Sequence, residues 1–194
     1  MASIEQIKEL REQTGVSIAS CKEALEEAGG DLEKAKEILR KMGKDLANKK
    51  SSREAGVGIV DTYIHPNKMI GAIVELRCET DFVAKSAEFA ELAHEICLQI
   101  SAMKPLFLSV EDIPDEFLDG ERKIYTEQLK DSGKPRDILD NIVEGKLKKY
   151  KDSVCLLNQS WIKDDSKTIS DLITEYIGKI GENILIKRFT LYEI

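Results

Sequence analysis

Cys78-Glu79-Thr80-Asp81-Phe82-Val83-Ala84-Lys85 lies where one periodicity gives way to another. Before it, Met69-Ile70-Gly71-Ala72-Ile73-Val74-Glu75-Leu76-Arg77-Cys78 is apolar and β-branched without proline, and reads as a strand. After it, Phe89, Ala93, Ile96 and Ile100 recur at steps of four, three and four, one face of a helix running to about Met103. Thr80 is a suitable N-cap, and Asp81 in the first turn suits the positive end of the helix dipole. Phe82 leaves two readings. Most aromatic side chains are buried, so it could fold back as an apolar staple toward Phe89, seven residues on and on roughly the same face. It could also point outward from a strand-to-helix corner.

Residues 56–64 form a second strand-like run, and His65-Pro66-Asn67-Lys68 carries turn chemistry, so residues 56–78 read as a β-hairpin. The hairpin gives the Asp81–Phe82 corner a rigid support. Residues 184–192 are another strand, which must pair, and the hairpin is the available sheet. Between these, residues 103–114 are irregular, with Pro105 and Pro114 as breakers and Pro114 able to open a helix as its first residue. Phe117, Leu118, Tyr125 and Leu129 mark that helix. A turn at 131–135 separates it from a second, with Leu139, Val143, Leu147, Tyr150 and Val154 on one face, giving an antiparallel helical hairpin. Residues 164–167 read as a polar loop. Thr168-Ile169-Ser170-Asp171 opens a last helix, with Leu172, Ile173, Tyr176, Ile177 and Ile180 on its apolar face and Gly181 at its end.

The amino-terminal end reads as three short helices. Ser3 and Gln6 form a capping box ahead of an apolar face of Ile4, Ile7 and Leu10. Thr14-Gly15 breaks this helix. The second turns Ile18, Cys21, Leu25 and Ala28 inward and ends at Gly29-Gly30. Asp31 caps the third, which buries Leu32, Ala35, Ile38, Leu39 and Met42 and is expected to stop at Gly43. The polar stretch that follows has lost the apolar period and reads as a linker, helical at most at its start. The expected organisation is α+β: a three-helix module at 1–44, a linker at 45–55, and a core at 56–194 with a three-stranded antiparallel sheet, helices and a short helical hairpin.

The 194 residues carry a net charge of −7, and residues 1–50 hold ten bases against ten acids. A nucleic-acid binder would show a basic domain or stripe, so direct nucleic-acid binding is not expected. Lys146, Lys148, Lys149 and Lys151 read as a solvated face, as do the acids between Glu111 and Glu121. No apolar run approaches a membrane span, and the first residues have neither a basic region nor an apolar signal core. Cys21, Cys78, Cys97 and Cys155 are widely spaced and read as small buried hydrophobes in a reducing cytoplasm. His94 and Cys97 share a helix face, but two ligands do not make a zinc site. No nucleotide loop, nucleophile elbow or metal set is present, so neither an enzyme nor a cofactor is expected.

Glu79-Thr80-Asp81-Phe82-Val83-Ala84-Lys85 is similar to the signature of the elongation factor Ts family, which reloads elongation factor Tu with GTP. Leu10-Arg11-Glu12-Gln13-Thr14-Gly15, the run from Cys21 to Ala28 and Gly30-Asp31-Leu32-Glu33-Lys34-Ala35 resemble that family's amino-terminal module, which has the ubiquitin-associated three-helix fold. Residues 142–149, 154–159 and 179–184 extend the resemblance over nearly the whole chain. It implies exchange by binding, without covalent chemistry. Thr80, Asp81, Phe82 and Val83 would meet the GTPase domain of Tu near its Mg²⁺, with Phe82 wedged between side chains so that metal and then GDP are lost. Arg11, Ile18 and Ala19 would grip the same domain, although Ala19 is smaller than the apolar residue expected there. Partners would be GDP-bound and nucleotide-free Tu. With one signature and one closing strand, the chain resembles the short form of the family, whose open sheet face is buried in a homodimer. A competing reading is a ubiquitin-associated adaptor that binds through the first module alone.

Overall fold

The computed structural model of the chain describes residues 2–130 and 135–194. It opens with α1 (Ile4–Thr14), α2 (Ile18–Glu27) and α3 (Leu32–Lys50). Ser3 and Gln6 form the expected capping box, Ser17 caps α2, and Asp31 accepts the amides of Glu33 and Lys34 to start α3. Leu10, Cys21, Ala24, Leu25, Ala35 and Leu39 make the core of these three helices. Ile4 and Ile18, read as inward, are exposed. Each lies in the first turn of its helix, directly after the capping serine, where the small core is already filled from the following turn.

The helix α3 does not stop at Gly43. Gly43 is not among the positive-φ residues that end helices here, and the chain runs on helically through the first half of the expected linker. The reason is a face that hydropathy does not show. Gly43, Ala47 and Lys50 fall at steps of four and three along α3. Ala47 packs on the main core, and the buried Lys50 donates its ammonium to the Gly181 carbonyl.

The sheet has the order β1 (Val57–Ile64), β2 (Ile70–Cys78) and β5 (Ile184–Glu193), all antiparallel. The closing strand therefore pairs with the second strand of the hairpin. Ile59, Asp61 and Tyr63 of β1, Ala72, Val74, Leu76 and Cys78 of β2, and Ile184, Ile186, Phe189 and Leu191 of β5 face the helices. There α5 (Ala87–Met103) crosses β1 and β2, and α8 (Ile169–Ile180) lies between β5 and α3. The other face is uncovered in the single chain, but it is mixed rather than simply apolar. Ile64, Gly71 and Tyr192 form one row across it, and Thr62, Ile73 and Thr190 the next. The following row places Val60 beside Glu75, whose carboxylate is bonded at 2.7 Å by both Arg77 and Arg188.

Between α5 and β5 the chain forms α6 (Asp115–Leu129) and α7 (Arg136–Val154), the expected helical hairpin. Pro114 sits at the N-cap of α6, one residue earlier than the first helical position. The turn read at 131–135 lies outside the described residues, apart from Pro135 at the start of α7. At the base of the hairpin Phe107, Phe117, Tyr125 and Tyr150 pack ring against ring over Ile113, Val154 and Cys155. Residues 164–167 are not a free loop: β4 (Asp164–Thr168) pairs with the short β3 (Ser160–Trp161). Gln99 of α5 specifies that pairing from below, since its side chain donates to Ser160 O and accepts from Ile162 N. No helix among the described residues is long and apolar enough to cross a membrane.

Candidate functional site

The signature does not run straight into the long helix. Thr80 is extended (φ −126°, ψ 157°) and its hydroxyl accepts the Val83 amide, starting a single turn, α4 (Asp81–Ala84). Ser86 then caps α5 separately by accepting the Phe89 amide at 3.2 Å. This break decides the orientation of Phe82. Ala84 is buried and Val83 packs on the main core, so Asp81 and Phe82, on the opposite side of the one turn, face out. Phe82 is 82% exposed, whereas Phe89 is fully buried. The staple reading of Phe82 does not hold, because the two rings do not share one helix. Asp81 is 2.8 Å from Lys85, and that hydrogen bond and charge hold its carboxyl below the usual carboxylate range.

Behind the corner lies a set of bonds that sequence reasoning missed. The Glu182 carboxylate accepts the amides of Glu79 (3.1 Å) and Thr80 (3.0 Å) on one oxygen and the Thr80 hydroxyl (2.6 Å) on the other. Glu79 returns the arrangement by accepting the Asn183 amide at 2.6 Å. That hydrogen bond, with the nearby Arg53 guanidinium at 3.5 Å, holds the Glu79 carboxyl below its ordinary range. The buried Asn183 donates its side-chain amide to Arg53 O at 2.8 Å. Both acids lie in stretches that carry the family resemblance, but nothing in the sequence paired them, and a chain with 36 acidic residues offers many such pairs.

Arg11, Ile18 and Ala19 are all exposed, flanking the turn between α1 and α2. Gly15 makes that turn with φ +68°, and a Cβ built on it would fall 2.6 Å from Lys179 Cε of α8. The segment 179–183 therefore touches both predicted contact groups, the α1–α2 turn through Lys179 and the signature corner through Glu182. Lys148 and Lys149 are exposed, as are Glu111, Asp112, Asp115, Glu116 and Asp119, but Lys146, Lys151 and Glu121 are half-buried, with Lys146 over the Tyr125 ring, so the solvated-face readings hold only in part. His94 stands 3.5 Å from Asp61 and edge-on to Tyr63. Among the described residues no group of three His, Cys, Asp or Glu side chains is placed to hold a metal ion. All four cysteines are buried and free, and burial, with Asp61 adding, pushes the Cys97 thiol up to about 12.

The sequence model of the family described as Elongation factor TS matches residues 4–176. Elongation factor Ts of Thermosipho melanesiensis is 50% identical over 194 residues, covering 100% of this chain and 99% of that protein. Elongation factor Ts of Thermotoga petrophila is 54% identical over 192 residues, covering 99% and 96%. Elongation factor Ts of Caldanaerobacter subterraneus is 49% identical over 193 residues, covering 100% and 96%.

Proposed function

The chain belongs to the elongation factor Ts family, and we propose that it performs the exchange reaction of that family through the Thr80–Val83 corner. It is a nucleotide exchange factor for elongation factor Tu, and Tu is its partner. Exchange is a binding event, without a covalent step. Phe82 enters the GTPase domain of Tu beside the Mg²⁺, with Asp81 at its side, and displaces the segment that supports the metal. Without that cation the phosphate charge of GDP is less neutralised, and GDP leaves faster. Thr80 caps the turn, and Val83 seats it on the core. The observation that carries this reading is the 82% exposure of Phe82 on a turn bonded from behind. A ring held out in this way adds little to its own core and suits a pocket on a partner, where its burial is worth about 1.5–3 kcal/mol.

The first 44 residues act as a ubiquitin-associated-like module that grips the same domain through Arg11, Ile18 and Ala19. Residues 45–55 join it to a core unit of 56–194, with α3 supplying the first half of that connection. Because Tu binding and nucleotide binding are reciprocally linked, GDP-bound Tu is engaged weakly and nucleotide-free Tu tightly. Two chains pair through the open sheet face, burying Ile64, Ile73 and Tyr192, and the dimer serves two Tu molecules in the cytoplasm.

Release of fluorescent GDP from purified Tu tests the central claim. The protein accelerates release, and Phe82→Ala lowers that acceleration by about 10- to 100-fold while remaining folded. Normal release per folded molecule of Phe82→Ala would remove the corner from the mechanism.

A further inference from the structure

We propose that Glu182 is the positioning residue of the exchange corner, its carboxylate fixing the peptide planes on which Asp81 and Phe82 are mounted. This rests on the reading of the corner given above. The helix α4 has four residues, and one turn of helix has too few hydrogen bonds of its own to fix a direction. Phe82 makes no core contact that could aim it. The direction of the ring is therefore set by the backbone beneath it. That backbone leaves the sheet at Cys78, paired with Ile184, so the next two amides lie beyond the strand ladder. Glu182 takes both of them, and the Thr80 hydroxyl as well.

The chemistry suits an ionised carboxylate. Three donors converge on two oxygens, and hydrogen bonds to a charged acceptor are stronger and shorter than neutral ones. Glu182 is itself held in place. Gly181 ends α8 with φ +83°, Lys50 donates to its carbonyl, and the Asn183 amide is taken by Glu79. Two chain segments about a hundred residues apart are thus tied both ways, one giving two backbone amides to Glu182 and the other returning one to Glu79. An aromatic wedge has to arrive in one orientation to displace a packed segment, and a shift of about 1 Å at such a group can cost 10²-fold in rate.

The test measures GDP release from purified Tu against concentration of the full chain, Glu182→Ala, Phe82→Ala and the double variant. Glu182→Ala is expected to lower the maximal release rate by about tenfold or more, with the half-saturating concentration little changed because the amino-terminal module still binds. In the Phe82→Ala background the same substitution adds a much smaller loss, since it acts chiefly through the ring and only the placement of Asp81 is left to lose. Glu182→Gln keeps more of the rate than Glu182→Ala, as its oxygen still accepts the two amides while the Thr80 hydroxyl proton loses its charged acceptor. If Glu182→Ala does not fold, Glu182→Asp, one methylene short, carries the same comparisons. An unchanged maximal rate overturns the proposal, as does an equal fold-loss with and without Phe82. Normal exchange by Phe82→Ala alone would instead overturn the corner reading, and this proposal with it.

Discussion

Phe82 and Phe89 stand seven residues apart and meet opposite environments, one in water and one in the core. Phe89→Ala is expected to cost about 3–5 kcal/mol of stability, whereas Phe82→Ala should stay within about 0.5 kcal/mol of the parent. Urea denaturation of the two variants checks this, and a large loss in Phe82→Ala would contradict the outward placement. Glu79 gives a pH test. Its folded-state pKa is depressed, so its stabilisation is present in full above the unfolded value of about 4.3 and is lost as pH falls through the lower native value. Denaturation curves from about pH 6 down to about pH 3 should show Glu79→Gln less stable near neutrality and falling less steeply with acid. Parallel curves for the two proteins would refute the linkage. Thr80 as a cap was legible, because capping is local. The partners of Glu79 and Glu182 were not, because a carboxylate that accepts distant amides depends on where the chain returns.

Strands and helices with a one-sided apolar pattern were legible: β1, β2, β5 and α8 lie where periodicity puts them, and α5 does so from Ala87 onward. Two of the failures share one cause, packing faces without an apolar signal. The inner face of α3 beyond Met42 is Gly43, Ala47 and Lys50, which hydropathy reads as solvent-facing. The β3–β4 pair is specified largely by Gln99, a polar side chain bonded to backbone. The break at Ser86 was hidden by residues that would suit one continuous helix. Within the sheet, Gly58 of β1 has no room for a side chain, since an added Cβ would fall 2.1 Å from Leu76 O and 2.9 Å from Arg77 Cα of β2. Gly58→Ala must push the two strands apart there, at a cost of about 1–3 kcal/mol. Thermal denaturation together with faster amide exchange in β1 would register it. An unchanged melting temperature would show that the pair relaxes freely.

At the scale of the whole molecule, the uncovered sheet face is the surface on which the proposed dimer rests. Its uncharged rows end against the Glu75–Arg77–Arg188 cluster, so it can bury the Ile64, Ile73 and Tyr192 end against a second copy while leaving the charges at the rim. Sedimentation should show a dimer at micromolar concentration and a folded monomer for Ile73→Asp, with GDP release per chain retained because the corner lies off this face. A parent protein that sediments as a monomer would end the dimer proposal.

The unbroken run of α3 past Gly43 has a mechanical meaning. The amino-terminal helices ride on a strut, not a leash. A partner that engages both ends of the molecule does not have to freeze a wandering tether first, so less ordering entropy opposes the second contact. The same stiffness makes the joint sensitive to phase: one residue inserted after Gly43 would swing the first grip by roughly 100° about the helix axis relative to the second.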